Sequence, residues 1–572
     1  MAKIDKSTLK FEEFPLRVPN EKRIAKKLLE LIQLLQQADS KEKVFAIIKK
    51  YNKFMEEVST DMGVIAIRYS LETNNPVYKK AQDKVDEISP LISNYSTQFM
   101  KVLLASPYRG DVEKKYGKYL LDMAEAALKS FDEKIIPELI EENKLSSEYD
   151  SILGSAEIEF RGEILNLSQL GKYTQDADRE TRKAAAKAMD KWMGEHEQRI
   201  GEIYSQLVLL RDQMAKKLGY KNFVELGYLR LGRVDYNAEM VANYRKQIEE
   251  TVVPIAQKLY KQQAKSLGIR NPQFYDYALH FKSGNPKPAG DEKYLVDAGH
   301  YMYSDMGQET KEFYEMMMDR HLMDLTARKG KTTGGYMSYL SSYKAPFIFS
   351  NFNGTDADVN VLTHEGGHAL QAYLSRNIKV PEYQSPTLEA CEIHSMSMEF
   401  FAWKYADKFF GADAEKYKFL HLSDAIEFLP YGISIDEFQH WVYENPTATH
   451  MERCAKWREI EQKNTPHKKY DDAPTYAHGA FWIRQSHVFG SPFYYIDYTL
   501  AQVCAFQFLV ELTKNREKAF KKYIKLCKFG GQAPFVTLLA KNHLRNPFED
   551  GNVAKVVKPL VKLLKEFDTS KF

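Results

Sequence analysis

Residues 364 to 368 read His-Glu-Gly-Gly-His inside a stretch, Asp358 to Tyr373, whose apolar residues Val359, Val361, Leu362, Ala369, Leu370 and Tyr373 recur at helical spacing. On an α-helix, positions i and i+4 lie about 40° apart around the axis, so His364 and His368 present their imidazoles to one point. Two imidazoles so placed suit a metal ion, and Glu365 lies beside that point rather than on it. A carboxylate there is placed to take a proton from a metal-activated water that attacks a carbonyl. Gly354-Thr355-Asp356 ahead of the motif supplies a turn and an N-cap candidate. Gly366 and Gly367 each cost about 1 kcal/mol relative to Ala in a helix interior. Small residues there would let a substrate or a neighbouring strand approach closely.

A catalytic zinc commonly takes three protein ligands and keeps one position open. A second helical stretch follows the start signal Ser385-Pro386 and runs from Thr387 to Trp403, with Glu389, Glu392, Met396 and Glu399 on one stripe. Packed antiparallel to the first helix, it brings Glu392 opposite His364 and His368, which makes Glu392 the candidate third ligand. Glu389, one turn earlier, is the candidate to accept an N–H from a ligand imidazole and fix its orientation. His394 lies about 200° around the helix from Glu392, so it is either a substrate contact or a core histidine.

At this point the resemblance is specific. The chain resembles the oligoendopeptidase F, or Pz-peptidase, group of the M3 metallopeptidase family, whose more distant members include thimet oligopeptidase. The similarity runs from Gly334-Gly-Tyr336 through Ala345 to Thr355, across the motif, into Glu392-Ile-His-Ser-Met-Ser-Met-Glu-Phe400, and ends at His487 to Tyr498. It implies His364, His368 and Glu392 as ligands of one Zn2+ per chain and Glu365 as general base. It also implies that His487 and the tyrosines after it stabilise the tetrahedral intermediate, with Tyr498 and Tyr495 favoured over Tyr494. The fold implied is mainly α, two helical lobes enclosing a deep substrate channel with a small β-sheet next to the zinc helix. Residues 1–170 would form the N-terminal helical lobe and 171–572 the catalytic region. Such a channel admits short, unfolded peptides, so the expected activity is a zinc-dependent endopeptidase acting on internal bonds of oligopeptides. The late residues also have a chemical reason: attack on a peptide carbonyl builds charge on its oxygen, and a phenol or imidazole N–H shares that charge.

The remaining sequence is consistent with a large enzyme. At 572 residues and 44% hydrophobic content the chain can bury extensive cores. The 81 basic and 78 acidic residues nearly balance at +3, which implies neither a nucleic-acid nor a membrane partner. The amino terminus shows no apolar signal core and no stretch approaches the roughly 18 to 20 apolar residues of a membrane span, so a cytoplasmic protein is the simplest expectation. Cys391, Cys454, Cys504 and Cys527 contain no Cys-x-x-Cys pair, which argues against a disulfide framework or a structural thiolate zinc site. Amphipathic helical patterns occur at Ile24 to Leu35 and near 40–58, 80–104, 113–143, 175–217 and 237–266. Ser283 to Gly290 reads as a loop that could mark a lobe junction or a flap. Phe347 to Phe349, preceded by Tyr336 to Leu340, is the best strand region, and its edge could hold an extended peptide through backbone groups.

Three other readings remain open. A carboxypeptidase or dipeptidyl carboxypeptidase would need a cation for the substrate carboxylate, for which Arg484 is a candidate. A peptide-binding protein with little cleavage would not need Glu365. A structural metal protein would usually supply a fourth ligand.

Overall fold

Helices form along the apolar stripes. In the computed structural model, which describes residue 6 and residues 8–572, Ile24, Leu28, Leu31, Ile32 and Leu35 are buried along one face of a helix over Glu21–Gln36. Asn20 caps it by accepting from the Arg23 amide. Helices Lys41–Leu71 and Pro76–Ala105 pack beside it around a core that includes Leu28, Val44, Ile88, Phe99 and Leu121. A second, larger core carries the rest of the chain, and helix Ile136–Gly154 belongs to it through Leu145, Tyr149 and Leu153.

Two of the expected helices are broken. The pattern near 113–143 becomes helices Arg109–Tyr116, Lys118–Ser130 and Ile136–Gly154, because Gly117, at φ 94°, ends the first. The pattern near 237–266 divides into Ala238–Thr251 and Val253–Leu267, with Pro254 at the head of the second lacking the amide that would continue the ladder.

The sheets are small. Strands β1 (Ile158–Phe160) and β2 (Glu163–Leu165) form a hairpin. Strands β3 (Met323–Thr326), β4 (Tyr336–Leu340) and β5 (Ala345–Phe352) form a three-stranded sheet in the order β3-β5-β4, with β5 parallel to β3 and antiparallel to β4. Central β5 is nearly all buried, and β4 forms an edge. From β5 the chain turns through Gly354, at φ 87°, into the motif helix Ala357–Ser375, which lies against the sheet. The expected N-cap is corrected here: the Asp356 side chain caps nothing, and Asp358 in the first turn accepts from the Asn353 and Gly354 amides at 2.9 and 2.8 Å.

The glutamate helix, Leu388–Phe401, packs on the motif helix. Gly367 explains how closely. A Cβ built on it would lie 2.7 Å from the His394 carbonyl oxygen and from Ser395 Cα, and one on Gly366 would overlap the Tyr303 hydroxyl. The glycine pair therefore admits two neighbouring helices rather than a substrate or a strand, which corrects the sequence expectation.

A cleft opens between helix Ile136–Gly154 with the β1–β2 hairpin and the start of β4 with the motif helix, while helix Lys41–Leu71 packs against β4 at its end. One part is a 660 Å³ cavity lined by residues of helices Lys41–Leu71 and Ile136–Gly154, β2, and the Lys329 to Thr333 loop. A 450 Å³ cavity continues from it to His364, Glu365 and His368, with Asp150, Tyr336 and Ser486 lining both. No helix among the described residues is long and apolar enough to cross a membrane.

Candidate metal centre

His364 and His368 sit one turn apart on the motif helix, and the close approach at Gly367 brings Glu392 between them. Glu392 Oε2 lies 3.1 Å from His364 Nε2 and 3.3 Å from His368 Nε2. One ligand atom from each residue falls within 4.8 Å of the other two. The carboxylate is fixed on both oxygens: Ser395 Oγ donates to Oε2 at 2.8 Å, and the Tyr494 hydroxyl donates to Oε1 at 2.5 Å.

The group that orients His364 is Glu399, not Glu389. Glu399 Oε1 accepts from His364 Nδ1 at 2.7 Å, and Oε2 accepts from His421 Nε2 at 2.7 Å. Trp403 Nε1 donates to His421 Nδ1 at 2.9 Å, which leaves the His421 proton on Nε2 for Glu399. With Nδ1–H given to Glu399, a neutral His364 would offer its Nε2 lone pair to a cation held beside Glu392. Glu389 is buried away from the imidazoles, and the charges that act on it are those of Arg233 and Asp235. Burial works against a charged His364, yet its hydrogen bonds to Glu392 and Glu399 raise its pKa well above the ordinary value. The pocket calls for positive charge at this point. Two imidazole nitrogens and one carboxylate oxygen, converging with the tautomer set from behind, fit a divalent cation with an open position.

Glu365 lines the same cavity, buried, with Oε2 free of any hydrogen bond. Burial raises its pKa above 4.5, against the pull of His364 and His368. Gly335, just ahead of β4, lies beside it: a Cβ there would come within 3.6 Å of Glu365 Oε1. Gly335, Tyr336 and Met337 bring the β4 edge into the cavity.

His487, on the short helix Ser486–Gly490, also reaches the cavity. The Tyr431 hydroxyl donates to Gln485 Oε1 at 3.0 Å, the Gln485 amide donates to His487 Nδ1 at 2.8 Å, and His487 Nε2 donates to the Tyr498 hydroxyl oxygen at 3.0 Å. Burial lowers the His487 pKa to about 4, so the ring is neutral at physiological pH. Of the three tyrosines, Tyr494 and Tyr498 line the cavity that holds the motif residues. Tyr495 packs on Phe428 and Tyr431 and lines a separate 340 Å³ cavity with Glu399, His421 and Tyr498. His394 is fully buried, its pKa lowered to about 4 by burial, and its ring packs near Tyr523; it is a core histidine.

Sequence reasoning missed Glu399 as the orienting group, and it missed His421, Trp403 and Gln485 altogether. Glu399 carried a signal, since it shares the Glu392 stripe. The other three are recognisable only from the folded chain.

The description "Peptidase family M3" matches residues 172–557 and "Peptidase M3 N-terminal domain" matches residues 11–131. A solved structure titled PZ peptidase A with inhibitor 2 is 48% identical and superposes with a TM-score of 0.97, covering 98% of this chain and all of that one. The oligoendopeptidase F homolog of Borreliella burgdorferi is 23% identical over 85% of this chain and 84% of its own length. Oligopeptidase PepF of Bacillus subtilis is 22% identical over 64% of this chain, a match that spans 57% of PepF.

Proposed function

Because this chain belongs to peptidase family M3, we propose that it is a zinc-dependent endopeptidase that hydrolyses internal bonds of short, unstructured oligopeptides within the cleft. The observation that carries the reading is the convergence of His364 Nε2, His368 Nε2 and Glu392 Oε2 beside a Glu365 oxygen that has no partner in the protein.

In this reading His364, His368 and Glu392 hold one Zn2+, and Glu399 and Tyr494 keep the first imidazole and the carboxylate in place. The cation, when bound, supplies a Lewis acid that polarises the scissile carbonyl and lowers the pKa of water. Glu365 takes the proton from the attacking water and afterwards delivers it to the leaving amine; its raised pKa suits both steps. Tyr498, receiving the His487 N–H on its oxygen, keeps its own hydroxyl proton for the developing oxyanion. The β4 edge at Gly335 to Met337 binds substrate backbone in extended form, which favours affinity with little dependence on side chains.

With the N-terminal lobe taken as residues 1–170 and the catalytic region as 171–572, the first supplies one wall of the cleft and the second the chemistry. A folded protein does not reach a centre enclosed between two such walls, which supports oligopeptides as the substrate class. The endopeptidase assignment is supported by the 450 Å³ cavity next to the motif, whose lining includes no Lys or Arg to hold a substrate carboxylate there; Lys79 and Lys329 line the 660 Å³ part of the cleft, and Arg484 stands over Phe481.

The test is an internally quenched peptide blocked at both ends. The expected result is cleavage at an internal bond, located by mass spectrometry. Turnover only of peptides with a free carboxyl terminus would replace this reading with a carboxypeptidase.

A further inference from the structure

Outside the cleft, four ligand-type side chains meet where three segments cross. Glu197 comes from the long helix Arg179–Lys217, His450 and Cys454 from helix His450–Asn464, and His478 from the end of the short helix Pro474–Ala477. Glu197 Oε1 lies 2.7 Å from both His450 Nε2 and His478 Nε2, and Cys454 Sγ lies 3.4 Å from His450 Nε2. One ligand atom each from Glu197, Cys454 and His478 falls within 4.8 Å of the others. His450 and Cys454 are i, i+4 on one helix face, the spacing that aims two side chains at one point.

Local packing has prepared the cluster. His478 Nδ1 is 3.0 Å from the Pro474 carbonyl oxygen, to which it donates, so a neutral His478 turns a bare Nε2 lone pair onto a carboxylate oxygen. Two lone pairs facing each other at 2.7 Å repel unless a proton or a metal cation stands between or beside them. Gly201 on the long helix makes room for His450: a Cβ there would lie 2.7 Å from its Nδ1. Cys454 is fully buried, while the side chains of Glu197, His450 and His478 are 16%, 21% and 35% exposed, so the cluster opens to solvent on one side.

We propose that Glu197, Cys454 and His478, with His450 hydrogen-bonded beside them, form a second divalent-metal site, separate from the peptidase centre, that takes zinc or a similar borderline-soft cation. A thiolate with an imidazole selects such an ion over calcium or magnesium. Ligand atoms at bonds of about 2.0 to 2.3 Å in a tetrahedron stand about 3.3 to 3.7 Å apart, so binding moves the Glu197 carboxylate outward by about half an ångström. Binding also releases the Cys454 thiol proton to solvent, leaving the thiolate as ligand. The bound cation ties the long helix to the segment that leads, nine residues after His478, to His487. These ligands share no short motif, so the cysteine spacing in the sequence does not point to them.

Cobalt tests the proposal without reference to activity. The set of His364, His368 and Glu392 contains no sulfur, so a thiolate-to-cobalt charge-transfer absorption reports a cysteine ligand. Metal-depleted protein reconstituted with Co2+ is expected to bind two ions per chain and to show that band. Cys454→Ser is expected to lose the band and one ion, and His478→Gln, at the more exposed ligand, to weaken the second ion at least tenfold. Cys391→Ser, which alters the cysteine beside Glu392, is expected to keep both. One cobalt per chain without the band, or a band that survives Cys454→Ser and disappears in Cys391→Ser, would overturn the proposal. If Cys454→Ser does not fold, His478→Gln decides: unchanged affinity for both ions counts against the site.

Discussion

Glu392 and Glu399 sit on one helix and do different work: the first faces the paired imidazoles, and the second holds one of them from behind. Replacing an orienting carboxylate of this kind typically costs about 10- to 100-fold in metal affinity. Glu399→Gln is therefore expected to weaken zinc by that amount in a chelator competition, with the fold unchanged; unaltered affinity would remove Glu399 from the account. Among the tyrosines, Tyr498→Phe is expected to lower kcat by about 10²- to 10³-fold, the typical loss of one oxyanion donor, while Tyr495→Phe stays near the native rate. Equal losses in the two variants, measured side by side, would contradict the assignment. The sequence carried Glu399 on the right stripe, and the antiparallel packing assumed there already favoured it over Glu389. With the helices antiparallel, His364, the earlier histidine, meets the later glutamate. Tyr494 was harder to read, because its direction depends on Phe493, held at φ 66°. The Gln439 side chain accepts the Phe493 amide at 2.8 Å and Arg233 donates to its carbonyl at 2.7 Å, contacts of long sequence separation that no local pattern shows.

Between elements, the decisive contact is the one at Gly367. Its neighbours there are backbone atoms of the glutamate helix, which have no flexible end to swing aside. Gly367→Ala, although it improves local helix propensity, is expected to push that helix away by tenths of an ångström and to displace Glu392 from His364 and His368. The variant should fold, lose zinc affinity and lose activity together, as read by zinc content after dialysis and by peptide turnover; full zinc content at native activity would contradict this packing argument. The helix pair was legible from periodicity and the motif. What the glycines admit was not, because Tyr303 and Ser395 come from segments whose positions the motif does not fix.

Across the whole molecule, buried ion pairs fasten helix Ile136–Gly154, which lines the cleft, to the helices behind it. Glu142, on helix Ile136–Gly154, accepts from Arg211 at 2.6 Å and from Arg230 at 2.9 Å, and Arg211 also donates to the Tyr443 hydroxyl. Burial would raise the Glu142 pKa, but Arg230 and Arg211 outweigh it and lower the value to about 2. A carboxylate with a depressed folded-state pKa stabilises the fold above its unfolded value and loses that contribution as pH falls through the folded one. Glu142→Gln, which leaves two buried guanidinium groups short of a counter-charge, is expected to cost about 3–5 kcal/mol in denaturant unfolding. Native stability should also fall as pH drops from about 4.5 towards about 2, more steeply than in the variant. The mainly helical class, the small sheet and the motif pair were readable because each rests on local periodicity. The course of the cleft was not, since the helix that lines it is placed by contacts such as Glu142 with Arg211, between segments far apart in sequence.

The most direct test of the account pairs zinc content with activity in Glu365→Gln. If Glu365 stands beside the metal ligands and acts as the base, the variant keeps zinc at the native level while peptide turnover falls by about 10²- to 10⁴-fold or more. Near-native turnover in a zinc-replete Glu365→Gln protein would contradict the mechanism, and loss of zinc from the variant would place Glu365 among the ligands instead.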